Sequence, residues 1–166
     1  MADILVGAEM KPIYGEYEGR LDDKARFVLP SALKKQLPKE EQSHFVLNRG
    51  LDECLVLYPL KVWEAEVSRI YSKNQYVNKN RAFARKFMNG ATPVELDSNA
   101  RILLPKRLAE YAGIEKDIVL VASFNRIEIW DKARYEQWIG DEKLDMEKLS
   151  EEVMGDKEQK RDGDVS

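Results

Sequence analysis

The sequence predicts an α+β domain built from two strand-helix-strand units related by pseudo-two-fold symmetry, and three observations carry that expectation. The stretch Leu21-Asp22-Asp23-Lys24-Ala25-Arg26-Phe27-Val28-Leu29-Pro30 recurs as Leu96-Asp97-Ser98-Asn99-Ala100-Arg101-Ile102-Leu103-Leu104-Pro105, with Leu, Asp, Ala, Arg, Leu and Pro at identical offsets. Asp97 follows Asp22 by 75 residues, and around each copy the same order of short β-type runs and short helices is written. An internal repeat says more about architecture than any single element. The third observation is size. A unit of about 45 residues cannot bury its apolar faces alone, so two units in one chain of 166 residues, 43% of them hydrophobic, become each other's core. Short strands and very short helices point to a small twisted or barrel-like antiparallel arrangement with peripheral helices.

Taken in order, residues 1–12 read as a lead-in without periodicity, and structure is expected to start near Ile13. Tyr14 to Leu21 suggests a short strand, Asp22 to Ala25 a turn in which Asp can accept backbone N–H groups, and Phe27 to Leu29 the returning strand. Pro30 fits the first position of a helix running to Leu37, with Leu33 and Leu37 on one face and Pro38 ending it. Phe45 to Leu47 and Cys54 to Tyr58 form a hairpin whose turn contains Gly50. Helices follow from Leu60 to Ile70 and from Asn80 to Asn89, the second stopped by Gly90 and carrying Phe83 and Phe87 as a core pair. The order then repeats: a strand into Leu96, the second Asp-x-x-x-Arg turn, Ile102 to Leu104, and a helix from Lys106 to Ala112 ended by Gly113. A hairpin of Ile118 to Val121 and Ile127 to Trp130 turns at Ser123-Phe124-Asn125 and leads into a helix from Lys132 to Ile139. A weak amphipathic helix is expected over 145–154, with disorder from Gly155 onward. The division is therefore a first repeat over 13–65, a helical connector over 66–90, a second repeat over 91–139 and an acidic tail over 140–166.

Composition removes several function classes. No apolar run approaches the length of a membrane span, and the N-terminus lacks a signal-peptide pattern, so a cytoplasmic protein is expected. One cysteine, Cys54, and one histidine, His44, allow neither an internal disulfide nor a zinc cluster, and both read as packing or surface residues. There is no nucleophile-base pair, no glycine-rich phosphate loop and no cofactor motif; adjacent acids such as Asp22-Asp23 are solvated turn residues rather than acid-base pairs. Catalysis is not expected. The net charge of −3 argues against nucleic acid at first sight, but the distribution reverses that. Arg69, Lys73, Lys79, Arg81, Arg85, Lys86, Arg101, Lys106 and Arg107 face only Glu95 and Asp97 between residues 68 and 107, a net of +7, while the tail from Gly140 carries −5.

The repeated motif, Tyr14-Gly15-Glu16-Tyr17 followed by Leu21-Asp22-x-Lys24-x-Arg26 and Pro30, then Leu96-Asp97-x-x-x-Arg101 and Pro105, resembles the bacterial MraZ family of transcriptional regulators over roughly residues 13–139. That resemblance implies an AbrB-like swapped-hairpin barrel with both repeats in one chain. It further implies binding to closely spaced direct repeats in the promoter of the division and cell-wall gene cluster, and assembly into a homo-oligomeric ring. This chain departs from the family in one place: Ala25 and Ala100 stand where glycine is usual. Alanine tolerates positive φ poorly, so the turn is expected to use ordinary backbone angles or another shape.

On the residues themselves, Asp22 and Asp97 would brace their turns and so aim Arg26 and Arg101, whose forked guanidinium can grip phosphate or pair with guanine O6 and N7. Lys24, replaced by Asn99 in the second copy, would add a phosphate contact that positions without specifying. A surface salt bridge worth about 0 to 1 kcal/mol is the plainer alternative; the recurrence in matching frames favours contact with DNA. The tail from Asp141 would limit non-specific binding by repelling phosphate. An AbrB-like antitoxin or an oligomeric protein-binding adaptor is the nearest rival, with the acidic tail as its only candidate partner segment.

Overall fold

The computed structural model describes residues 11–141 and 143–155, which fall into two compact units divided after Lys132. The first unit contains β1 (Glu16–Arg20), β2 (Arg26–Val28), α1 (Ser31–Lys34), a 3-10 turn (Lys39–Glu41), β3 (His44–Arg49) and β4 (Leu55–Pro59). It continues with α2 (Leu60–Tyr71), α3 (Asn78–Met88), β5 (Thr92–Glu95), β6 (Arg101–Leu103), α4 (Lys106–Ala112), β7 (Asp117–Ser123) and β8 (Arg126–Asp131). Helix α5 (Lys132–Ile139) crosses the division, and the second unit adds α6 (Met146–Ser150) and a π turn (Glu151–Gly155).

Six strands pair in the order β1-β7-β8-β4-β3-β5, and β2 and β6 form a separate two-stranded ribbon. The two hairpins meet at the centre, where Leu55, Val56 and Leu57 lie opposite Ile129, Glu128 and Ile127. The outer strands are exchanged. β1, from the first repeat, pairs with β7 of the second, from Glu16 opposite Val121 to Arg20 opposite Asp117. β5, from the second repeat, pairs with β3 of the first, from His44 opposite Glu95 to Leu47 opposite Thr92. Each repeat thus completes the other's sheet, which is the mutual dependence that the short units called for.

Side-chain alternation decides what each strand buries. β4 is buried along its whole length, as a strand at the centre of the sheet must be. In the ribbon, Phe27 and Ile102 point inward and are buried, while Val28 and Leu103 point out. One apolar core gathers Phe27, Leu29 and Leu33 with their second-repeat counterparts Ile102, Leu104 and Leu108, and adds Leu57, Ile118 and Ile129 from the sheet. Each such side chain contributes roughly 1.5–3 kcal/mol on burial.

Most expected elements are present, most of their ends shifted by no more than one or two residues. Among the described residues the first bridged position is Ile13, which is buried and pairs with Phe124. Pro30 lies one place earlier than expected, as the cap before α1 rather than its first residue, and Pro59 and Pro105 cap α2 and α4 in the same extended conformation. α1 stops at Lys34; Leu37 is held by a turn bond from its N–H to the Lys34 carbonyl. The Phe83 and Phe87 pair is only half in the core. Phe87 packs against the core and stacks on Trp63 at 5.5 Å, whereas Phe83 stacks on Phe87 and is exposed. Gly90 closes α3 with φ = 106°, a conformation L side chains avoid, and an added Cβ would sit 3.1 Å from Leu108. His44 is exposed, 3.2 Å from Glu95, and Cys54 is buried. In the second unit, Asp145 caps α6 by accepting the Glu147 N–H. The lead-in over 1–10 and the tail beyond Gly155 lie outside the described residues. Among the described residues, no helix is long and apolar enough to cross a membrane.

Candidate nucleic-acid interface

The two Asp-x-x-x-Arg motifs close identical turns. In the first, the Ala25 N–H donates to the Asp22 carbonyl at 3.0 Å and the Asp22 N–H donates to the Arg26 carbonyl at 2.8 Å. Ala25 between them has φ = 58°. A β-turn followed by a left-handed residue is the three-residue hairpin loop with a bulge. In the second copy the same bonds run Ala100 to Asp97 at 3.0 Å and Asp97 to Arg101 at 3.0 Å, and Ala100 also has φ = 58°. The expectation that alanine would force ordinary angles or another turn shape is therefore wrong. The turn bonds on either side hold the residue in the left-handed region despite its Cβ.

The aspartates explain why that conformation persists. Asp22 Oδ1 accepts the N–H groups of Lys24 and Arg26, each at 2.9 Å, and Oδ2 accepts Arg26 Nε at 2.8 Å. Asp97 repeats the pattern with Asn99 at 2.8 Å, Arg101 N–H at 2.9 Å and Arg101 Nε at 2.8 Å. A carboxylate accepting from its own turn backbone is stabilised in the ionised form. Both carboxyls are held below the ordinary value of 3.8, first by the backbone N–H of the motif arginine and further by its side chain. Each arginine side chain stays partly exposed, with only Nε engaged by the aspartate. Its two Nη groups, the forked end, find no partner among the described residues.

The ribbon ties the two turns together. Arg26 lies opposite Leu103, Phe27 opposite Ile102 and Val28 opposite Arg101. The Leu29 N–H donates to the Ala100 carbonyl and the Leu104 N–H to the Ala25 carbonyl, both at 2.8 Å. With Phe27 and Ile102 buried beneath, Arg26 and Arg101 share the outer face of a single small platform. All five singled-out residues, Arg26, Arg101, Lys24, Asp22 and Asp97, belong to this platform and its turns, with Lys24 exposed at one turn and Asn99 at the other. Sequence reasoning had assigned no surface role to Val28 and Leu103. The two-residue period of a strand, which puts them on the face of the arginines, was the available signal. Lys106 and Arg107, counted earlier only as charge, are exposed in the first turn of α4 immediately after the ribbon.

A family model described as "MraZ protein, putative antitoxin-like" matches the chain in two successive segments, residues 13–86 and 87–157. The chain belongs to the MraZ family. It is 46% identical to the transcriptional regulator MraZ of Christiangramia forsetii, over 86% of this chain and 93% of that protein. The protein of the same name from Flavobacterium psychrophilum is also 46% identical, over 88% of this chain and 94% of the relative. The one from Acetivibrio thermocellus is 39% identical, over 84% and 95%. These MraZ relatives are named as regulators and not as enzymes, in agreement with the expectation that catalysis is absent.

Proposed function

We propose that this chain is a sequence-specific, DNA-binding transcriptional regulator. Arg26 and Arg101 contact the DNA, Asp22 and Asp97 fix them, and Lys24 adds a phosphate contact. The observation that carries the proposal is the pair of matching turns on one ribbon, each presenting an arginine whose forked end is unengaged among the described residues. An arginine braced at Nε loses less freedom on meeting its target than a loose one. Its remaining amino groups suit the O6 and N7 pair of guanine or a phosphate.

The fold is an AbrB-like swapped-hairpin barrel, with repeats over 13–65 and 91–139 joined by a helical connector. The chain assembles into a ring that binds direct repeats in the promoter of the division and cell-wall gene cluster, its own gene included. It works in the cytoplasm on the nucleoid. One ribbon gives a small footprint, and linking several in an oligomer raises avidity by roughly 10² to 10⁴ when the DNA repeats match their spacing. That summation lets a chain of net charge −3 hold DNA. The acidic tail from Asp141 repels phosphate outside the operator, so its removal raises affinity for random duplex; an unchanged affinity refutes that role.

Fluorescence anisotropy with the protein's own upstream DNA at two salt concentrations tests the main proposal. Wild type should bind with a steep salt dependence, and folded Arg26→Ala/Arg101→Ala should not bind. Unchanged binding by that variant overturns it. The words "antitoxin-like" in the family description favour one second reading, an antitoxin or protein-binding adaptor. Copurification with a toxin would support it.

A further inference from the structure

The outer face of the ribbon holds four side chains, two of which are apolar and unexplained. Val28 is 55% exposed and Leu103 is 59% exposed, at equivalent positions of the two motif copies. A lone exposed aliphatic residue is ordinary. Two at pseudo-symmetric positions, each directly across the ribbon from a motif arginine, form a pattern: Val28 faces Arg101 and Leu103 faces Arg26. Strand geometry sets their spacing. Opposite residues stand about 5 Å apart, and residues two apart along a strand about 6.7 Å. That second spacing matches two base-pair rises of about 3.4 Å each. The major groove of B-DNA is wide enough, about 12 Å, for a two-stranded ribbon, and its one apolar feature is the C5-methyl group of thymine.

We infer that Val28 and Leu103 are specificity residues that read thymine methyl groups beside the bases or phosphates held by Arg101 and Arg26. This rests on the DNA-binding reading above and narrows it. The ribbon enters the major groove face-on, and each arginine-aliphatic pair selects a thymine next to the position of the arginine. The flanking arginines supply the charge that brings this apolar face to DNA rather than to a lipid or an apolar protein surface.

The test replaces every thymine in the protein's upstream duplex with deoxyuridine, which deletes the methyl group and keeps the Watson–Crick edge. Wild-type protein should bind the uracil duplex at least about fourfold more weakly for each methyl contacted, the effect of exposing one buried methyl group. Val28→Ala/Leu103→Ala should bind the thymine duplex with that same loss and show no further loss with uracil. Both positions are exposed, so folding is not at risk, and the wild-type arm needs no variant. Equal wild-type affinity for the two duplexes, with binding still abolished in Arg26→Ala/Arg101→Ala, overturns the methyl reading and leaves the DNA-binding proposal standing. A Val28→Ala/Leu103→Ala variant that stays sensitive to uracil likewise assigns the methyl contact elsewhere and overturns it. If the arginine variant binds as wild type, both proposals fall together.

Discussion

The Leu104 N–H donates to the Ala25 carbonyl at 2.8 Å, and Leu29 and Ala100 make the mirror bond. Each left-handed alanine is therefore clamped by the other repeat, and the two turns set each other's shape. A non-glycine residue in the left-handed region carries about 1–2 kcal/mol of strain. Glycine removes that strain but frees the unfolded chain by about 0.4–1 kcal/mol. Ala25→Gly and Ala100→Gly should each stabilise the protein by roughly 0.5–1 kcal/mol in urea unfolding. Ala25→Val, with its β-branch, should destabilise it. A loss of stability in either glycine variant contradicts this account.

The aspartates carry a pH dependence whose sign follows from their environment. Their folded pKa values lie below the ordinary 3.8, so their contribution to stability is complete above that value and is lost as pH falls through the lowered one. Carboxyl-carbon NMR titration should give midpoints below 3.8 for Asp22 and Asp97. The leading cause is the backbone N–H of the arginine, not its side chain. In Arg26→Ala, Asp22 should therefore move only part of the way back to 3.8. A full return would make the guanidinium the dominant partner instead.

How much of this was legible beforehand follows the range of the forces involved. The turns, the helix from Lys106 to Ala112 and both hairpins are local matters of Asp, Gly, Pro and periodicity, and they stand where the sequence placed them. The strand exchange was not legible in detail. Glu16 opposite Val121 and Phe45 opposite Val94 are long-range registers that local propensity does not encode. The alanine turns went the wrong way partly for the same reason. Their left-handed angle is set by the Asp carboxylates and by bonds from the other repeat, while the local rule considered only the Cβ. Phe83 and Phe87 share a helix face, but only Phe87 reaches Trp63, a distinction that depends on where α3 lies against α2.

Cys54 tests burial independently of the motif. Its thiol is pushed up to about 12, chiefly by desolvation and further by the nearby Glu128 and Asp52 carboxylates. The thiolate is the reactive form, and a rise from 9.0 leaves on the order of a thousandfold less of it near pH 8. Folded protein should react with a disulfide reagent no faster than it opens, and denaturant should release one fast equivalent. Rapid native-state labelling would show that the residue just before β4 is open to solvent.

The turns differ at two positions, Asp23 against Ser98 and Lys24 against Asn99, and only the second difference adds a cation. Both donate a backbone N–H to the motif aspartate, at 2.9 Å and 2.8 Å, so exchanging their side chains leaves the turn bonds intact. An ammonium that meets phosphate adds affinity without sequence information. Lys24→Gln should thus weaken operator and random duplex by the same factor. It should also lower the magnitude of the log–log salt slope by about 0.9 for each Lys24 that neutralises a phosphate. Asn99→Lys should raise the slope in the same proportion, because the second turn presents position 99 as the first presents position 24. Anisotropy titrations of both variants across a salt series, on operator and scrambled DNA, separate this positioning role from readout. A change in the preference between the two duplexes would make Lys24 a reader of bases.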